Sequence, residues 1–154
     1  MEDVGLLEPH HAVQKPLKRD GSRLDVRGHR LDLTIVDISS SGGRNGGPFL
    51  GAYVTSKHGL GGYSDTLRHE LMLYGIDVII VWPGSVDTAI WDRAETNDTS
   101  AFDGTDYGRS VRNFKRYMIR EGRKGLAPEV VGRTVWRART ARRPNGRYAP
   151  VPKS

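Results

Sequence analysis

The residues with the clearest chemical potential lie in one stretch, ISSSGGRNGGPFLGAYVTSKHGL, at residues 38–60. It contains Tyr53 and, four positions later, Lys57. On a helix, positions i and i+4 share a face, so the phenol and the ammonium would lie one turn apart. A nearby cation favours the phenolate form of tyrosine, which can exchange a proton with a hydroxyl or carbonyl oxygen. A hydroxyl such as that of Ser40 can hold the same oxygen while charge develops on it.

Hydride transfer at the carbon that carries this oxygen would require a cofactor, because no side chain supplies a hydride. The Tyr-x-x-x-Lys spacing is a weak signal when taken alone. An exposed i,i+4 pair on a helix surface explains the same spacing equally well. The surrounding residues must therefore decide between a catalytic site and a surface pair.

The glycines of the same stretch do not match a phosphate-binding loop. They stand at positions 42, 43, 46 and 47, and no starting glycine gives the i, i+2, i+5 spacing of the dinucleotide fingerprint. A Gly-Lys-Ser/Thr sequence is also missing, and Pro48 and Phe49 follow in place of a helix start. We therefore predict that these glycines let the chain turn tightly beside a ligand.

A cluster of β-branched and apolar residues and a continuous apolar run predict strands on either side of a helix. LTIVDIS, residues 33–39, and IDVIIVWPG, residues 76–84, have the composition of buried strands, and the second is typical of a strand covered on both faces. Residues 53–74 predict a long helix that ends at Gly75. Its apolar stripe consists of Leu60, Tyr63, Leu67, Leu71 and Tyr74.

The rest of the chain continues the alternation. Residues 88–105 predict a mobile polar loop, and helices are predicted for residues 107–120 and 128–140. The second of these helices has its apolar residues on one side, at Val130, Val131, Val135 and Ala138. GRYAPV near the end predicts a last short strand. This order of elements predicts an α/β fold with a parallel sheet and right-handed crossovers.

Length and composition narrow the class of protein. The chain has 154 residues, enough for one domain, and contains no cysteine, which favours a cytoplasmic setting. No apolar run approaches the roughly 20 residues of a membrane span. The net charge is +6, with arginines crowded at residues 133–148. A solvated helix face explains this charge better than nucleic-acid binding, because no nucleic-acid-binding motif accompanies it.

Several ordered pieces resemble the short-chain dehydrogenase/reductase family. IVDISSSGG is similar to the strand and loop that carry the family's active-site serine, and Ser40 precedes Tyr53 by thirteen residues, the usual interval. AYVTSKHGLGGYSDTLRHEL resembles the catalytic helix, and YGIDVIIVWPGSVDT resembles the next strand and its Pro-Gly turn. RRPNGRY resembles the closing segment of some members. The resemblance covers residues 34–150 and implies the C-terminal part of a Rossmann-type domain, followed by a tail at 151–154.

The resemblance implies a role for each matching position. Tyr53 would be the general acid/base, Lys57 would support it and bind the nicotinamide ribose, and Ser40 would orient the substrate oxygen. The cofactor, NAD or NADP, would also contact the loop after the second strand, at Pro83, Gly84, Val86 and Thr88. The substrate, a small secondary alcohol or ketone, would be covered by Ile90 and Trp91.

Some of these residues have simpler explanations. Ser39 and Ser41 are alternative loop serines, Pro83-Gly84 could end a strand, and Thr88 could cap a helix. Trp82 and Trp136 are expected in the core. The histidines have no metal-ligand spacing, and we expect no metal site; they stand at positions 10, 11, 29, 58 and 69.

The sequence departs from the family pattern at its beginning. Family members start with a glycine-rich turn that binds the cofactor pyrophosphate, and here residues 1–33 form an irregular segment without that turn. We therefore expect a chain truncated upstream of about residue 33, with an unpaired edge on the Val36 strand. A catalytically silent chain that acts through protein association is the alternative. Pairing of copies through helices is implied by the family, but only one of the two helices is evident.

Overall fold

A three-stranded parallel sheet lies at the centre of the fold. The computed structural model of the protein describes residues 33–152, in which β1 (Thr34–Ile38), β2 (Asp77–Val81) and β3 (Arg147–Tyr148) lie in that order across the sheet. Thr34 is opposite Asp77 in the register, and Val81 is opposite both Ile38 and Tyr148. The predicted α/β class with a parallel sheet is thus confirmed. Apart from Leu33, the segment predicted to be irregular lies outside the described residues.

The central strand β2 forms the core. Its residues Val78 to Val81 are at most 1% exposed, as expected for a strand covered on both faces. Ile79 and Val81 pack with Ala138, and Val36, Val135 and Tyr148 surround them. By contrast, the residues of β1 are only half-buried, and Ile38 is exposed. Within residues 33–152 β1 pairs on one side only, with β2, so it forms an edge of the described sheet.

Helix α1 (Gly51–Leu71) carries the predicted catalytic pair, and a 3₁₀ turn (Met72–Tyr74) extends it. Gly75 ends the turn with φ 67°, a left-handed conformation that glycine adopts without a steric penalty, so the predicted C-cap is confirmed. The predicted apolar stripe is wrong at Tyr63 and Tyr74, which are 59% and 41% exposed.

A serine, and not an aromatic residue, faces the sheet in the middle of α1. Ser64 is fully buried, and its Oγ lies 2.7 Å from Asp37 Oδ2 on β1 and 2.8 Å from the Leu60 carbonyl oxygen. The small side chain lets the helix approach β1 closely, and its hydroxyl finds the partners that a buried polar group needs. Tyr63, one position earlier on the helix, is exposed.

An ion-pair network fastens α1 to the other two strands. Arg68 donates from Nε to the Val78 carbonyl and from a terminal nitrogen to the Gly146 carbonyl, both at 2.8 Å. Asp65 accepts from Arg68 and from Arg147 of β3, each at 2.6 Å. Partial burial alone would raise the pKa of Asp65, but the hydrogen bonds from the two guanidinium groups outweigh it and hold the pKa below its usual 3.8.

Two helices follow the sequence predictions closely. Helix α4 spans Pro128–Thr140, with proline in its first turn, and Ala138 is buried on the predicted side. Helix α3 spans Gly108–Gly122, close to the predicted bounds. The core assignment of Trp136 is wrong, because its side chain is 64% exposed. Trp136 follows Val135 directly, and one position along a helix turns a side chain by roughly 100°.

The segment predicted to be a mobile loop is instead ordered. It contains helix α2 (Ile90–Thr96) and a 3₁₀ turn (Ser100–Phe102). Lys115 of α3 donates to the carbonyls of Glu95 and Asn97 at the end of α2, at 2.8 and 2.6 Å. A cation at this position satisfies the carbonyls that a helix C-terminus leaves without partners. None of the helices in residues 33–152 has the length and hydropathy of a membrane span.

Candidate active site

Tyr53 and Lys57 lie on one face of α1, as their spacing predicts. Lys57 Nζ is 5.8 Å from the centroid of the Tyr53 ring. Tyr53 is 44% exposed and Lys57 is half-buried, so neither residue is enclosed in the core. No carboxylate within the described residues pairs with Lys57. Its three N–H donors are therefore available to a ligand.

The three serines after β1 occupy different environments. Ser39 is buried and its hydroxyl donates to the Lys57 carbonyl at 3.3 Å, which fastens the loop to α1. Ser40 Oγ accepts from the Gly42 amide at 3.1 Å and caps the 3₁₀ turn Ser41–Gly43. Because Ser40 uses its oxygen as an acceptor here, its hydroxyl hydrogen remains available for donation.

Gly42 brings Ser40 and Tyr53 together. A Cβ placed on Gly42 would lie 3.1 Å from Tyr53 Cε1 and 3.6 Å from Ser40 Oγ. The two side chains thus flank the same small space over the loop. Any side chain at position 42 would press on the tyrosine ring.

Gly43 allows the loop backbone to approach α1. A Cβ there would stand 2.8 Å from Ser39 Oγ and 2.9 Å from the Lys57 carbonyl oxygen, closer than Cβ atoms approach in real proteins. These glycines therefore let the loop pack tightly against the helix that carries Tyr53. Sequence reasoning assigned the glycines to a turn beside a ligand and missed this helix contact. The two adjacent glycines directly after the serines were the sequence feature that could have indicated this contact.

The loop after β2 is joined to the serine loop. The Ser41 amide donates to the Pro83 carbonyl at 2.8 Å, and the Gly84 amide donates to the Pro150 carbonyl at 2.9 Å. A Cβ on Gly84 would lie 3.1 Å from Pro152, so Val151 and Pro152 pack closely against this glycine. Both loops follow the carboxyl ends of neighbouring parallel strands, where α/β sheets place their ligand sites.

The continuation of this loop is held by Leu126. Val86 forms a parallel bridge with Leu126, and the Asp87 amide donates to the Leu126 carbonyl at 2.9 Å. Gly125 fits against Ser85, where a Cβ would lie 2.5 Å from the backbone. Backbone contacts with the serine loop, with Pro150 and with residues 125–126 thus hold residues 83–86 in place.

Thr88, Ile90 and Trp91 lie at the start of α2 in unequal surroundings. Thr88 and Ile90 are exposed, the latter at 60%. The indole of Trp91 donates to the Val86 carbonyl at 2.8 Å and lies against Gly122 of α3. The capping role considered for Thr88 is wrong, because Ala89 is the N-cap of α2 and no side chain caps it.

Phe49 orders the chain before the first turn of α1. Its φ of 60° is left-handed, an uncommon conformation for a bulky residue. Its ring contacts Phe114 at 5.6 Å and Tyr107 at 6.2 Å between centroids, both on or beside α3. These contacts offset backbone strain and fix the entry to the helix that carries Tyr53. No local sequence pattern indicated this role.

A family model and several known proteins match this chain. The family model described as short chain dehydrogenase matches residues 32–99. The NADPH-dependent 3-dehydrocapnine reductase of Ornithobacterium rhinotracheale is 35% identical over 77% of this chain and 42% of its own length. The 3-ketodihydrosphingosine reductase of Bacteroides thetaiotaomicron is 32% identical over 66% of this chain and 37% of its own length.

Solved structures agree with the fold. A short-chain dehydrogenase/reductase from Burkholderia phymatum, in complex with NAD, superposes with a TM-score of 0.59 at 25% identity, over 75% of this chain and 42% of that one. A serine dehydrogenase complexed with NADP+ gives a TM-score of 0.53 at 21% identity, over 77% and 44%. The chain belongs to the short-chain dehydrogenase/reductase family, a family of oxidoreductases. It spans less than half the length of these relatives.

Proposed function

We propose that the chain acts as an NAD- or NADP-dependent oxidoreductase that interconverts a secondary alcohol and a ketone. The observation that carries the proposal is the placement of Ser40 and Tyr53 on either side of Gly42, with Lys57 one helical turn away. Only the tyrosine and the lysine are adjacent through helical spacing; the serine comes from a separate loop. A tyrosine and a lysine that formed only an exposed surface pair would not require a serine from another loop beside them.

The roles of the side chains follow from their donors and acceptors. In the reducing direction the Tyr53 hydroxyl would give its proton to the carbonyl oxygen of the ketone, and in the oxidising direction the phenolate would take it back. The free hydroxyl hydrogen of Ser40 would donate to the same oxygen and hold it as charge develops. The Lys57 ammonium would stabilise the phenolate and donate to a ligand hydroxyl.

A bound nicotinamide would supply or accept the hydride at the substrate carbon, which no side chain can do. The accessible donors of Lys57 suit the hydroxyls of a ribose, and the loop from Pro83 to Thr88 lies beside the serine loop. Two relatives carry names that specify keto groups, a 3-ketodihydrosphingosine reductase and a putative ketoacyl reductase. Their names support a ketone as substrate.

The first test is cofactor binding by the full chain. The protein would be titrated with NADH and then NADPH, following cofactor fluorescence and tryptophan quenching. We expect saturable binding of one cofactor that Lys57→Ala weakens about tenfold or more, because a charge-assisted donor is lost. Lys124→Ala is the matched control, since it removes the same charge from an exposed position on the protein surface.

Failure of the proposal has a clear signature. No binding up to millimolar cofactor, in a chain shown to be folded by circular dichroism, would mean that this polypeptide is not active as it stands. Equal effects of Lys57→Ala and Lys124→Ala would also overturn the assignment of Lys57. Where binding is found, ketone reduction should be lost in Tyr53→Phe while cofactor affinity is retained.

A further inference from the structure

A cationic cleft lies beside the serine loop, outside the candidate active site. It has a volume of about 260 Å³ and is lined by Arg44, Trp82, Arg147, Tyr148 and Ala149. Ser40, Tyr53 and Lys57 do not contribute to it. The sequence places its residues in three separate segments, so no motif pointed to it.

The guanidinium groups of two arginines in this cleft lie over the indole ring of Trp82. The Cζ atoms of Arg44 and Arg147 lie 5.2 and 5.7 Å from the ring centroid of Trp82. A guanidinium that stacks on an aromatic face keeps the N–H donors at its edge free. The aromatic platform therefore holds two strong donor groups in place without using their hydrogen-bonding capacity.

The charges around the cleft are not balanced. Arg147 shares Asp65 with Arg68, whereas Arg44 has no carboxylate partner among the described residues. Of the two guanidinium groups that line the cleft, only that of Arg147 therefore pairs with a carboxylate, and that carboxylate is shared with Arg68. Arg147 uses one of its five N–H donors on Asp65 and retains the others. The excess positive charge favours an anion in the cleft.

Trp82 adds a polar group that lacks a partner. Its Nε1 is covered from solvent and has no hydrogen-bond acceptor within the described residues. Because this donor is covered, its N–H signal reports on changes in the surrounding cleft, and it is not itself a donor to a ligand. The core position expected for Trp82 from the sequence explains neither the two stacked arginines nor this donor.

We propose that the cleft binds a small molecule through an oxyanion group, a carboxylate or a phosphate. In this arrangement the guanidinium groups of Arg44 and Arg147 bind the oxyanion. Paired arginines suit this chemistry because their planar N–H forks match the oxygens of both groups. The cleft is slightly smaller than the usual 300–1,000 Å³ of drug-sized ligand sites, which favours a small occupant. The proposal does not depend on the proposed oxidoreductase activity.

The test uses the indole N–H signals of the full ¹⁵N-labelled chain. Trp136→Phe and Trp82→Phe assign the signals of the three tryptophans by loss of one each. The protein is titrated with inorganic phosphate and, separately, with acetate, at constant ionic strength set by chloride. We expect a saturable shift of the Trp82 signal with at least one of them, while the Trp91 and Trp136 signals stay in place. Which titrant acts identifies the group as phosphate or carboxylate.

Charge-matched variants decide whether the cleft is responsible. Arg44→Gln should weaken binding about tenfold or more, because a charge-assisted donor pair is lost. Arg147→Lys keeps the charge and the pairing with Asp65 but should also weaken binding, since lysine lacks the planar fork. Arg133→Gln on the exposed side of α4 removes the same charge elsewhere and should have no effect. An unmoved Trp82 signal, or a shift that survives Arg44→Gln, overturns the proposal.

Discussion

Gly122 at the end of α3 lies directly against the indole of Trp91 at the start of α2. A Cβ on Gly122 would stand 2.1 Å from Trp91 Cε2, which leaves no room for any side chain. The indole nitrogen is held in turn by the Val86 carbonyl at 2.8 Å. This contact joins the loop after β2 to α3, and it orders the segment that would cover a substrate.

The first prediction follows from that contact. Gly122→Ala should destabilise the chain by about 1–3 kcal/mol, the usual cost of overpacking, and should expel the Trp91 indole. The midpoint of urea unfolding and the emission maximum of tryptophan measure both effects. Gly132→Ala is the control, because position 132 in α4 has nothing within 4 Å of the new methyl. That variant should be more stable by about 0.5–1 kcal/mol through helix propensity. Equal behaviour of the two variants would contradict the Trp91–Gly122 contact.

The second prediction concerns the approach of the serine loop to α1. Gly43→Ala should push the loop away from the helix, because the new methyl would meet Ser39 Oγ and the Lys57 carbonyl at 2.8 and 2.9 Å. We expect a loss of about 1–3 kcal/mol in unfolding free energy, together with weaker cofactor binding. Gly46→Ala, in the same loop with nothing within 4 Å, should leave both quantities unchanged. A tolerated Gly43→Ala would mean that the loop does not pack on α1.

The third prediction separates backbone strain from aromatic packing at Phe49. Phe49→Ala and Phe49→Gly both remove the contacts with Tyr107 and Phe114. Only glycine relieves the left-handed φ of 60°. The glycine variant should therefore be the more stable of the two by about 1 kcal/mol, as measured by thermal or urea unfolding. Equal stabilities, or a more stable alanine variant, would contradict the positive φ in solution.

The fourth prediction is a pH dependence carried by Asp65. Because Arg68 and Arg147 hold the pKa of Asp65 below its usual 3.8, the folded state favours the carboxylate. The resulting stability is present above the unfolded-chain pKa of about 3.9 and is lost as the pH falls through the lower folded-state pKa. Asp65→Asn should therefore cost about 1 kcal/mol at neutral pH, a modest value because the side chain is 35% exposed.

The unfolding free energies of wild type and Asp65→Asn should converge as the pH falls below about 4. Urea unfolding between pH 7 and the lowest pH at which the chain stays folded measures this difference. Asp106→Asn removes the same charge from an exposed site and should show a smaller and flatter difference. A constant gap between wild type and Asp65→Asn at all pH values would show that the ion pairs do not stabilise the fold.

Local patterns were sufficient for most of the regular elements and for the predicted pair of Tyr53 and Lys57. The proline at the start of α4 and the unbroken apolar run of β2 predicted their positions, because capping and burial leave signals within a few residues. The alignment of Tyr53 with Lys57 depends only on helical geometry. The same reasoning was wrong for residues 88–105, because the order of α2 comes from contacts with α3.

The sequence by itself determined the α/β order of elements, the face shared by Tyr53 and Lys57, and the family resemblance. The tertiary structure decided which serine lies beside Tyr53, which face of α1 meets the sheet, and where Trp82 and Trp91 lie. These features depend on residues far apart in the chain, such as Trp91 and Gly122 or Arg44 and Arg147. Helix and strand periodicities are set by neighbours along the backbone, whereas close approach between segments is set by how the whole fold packs.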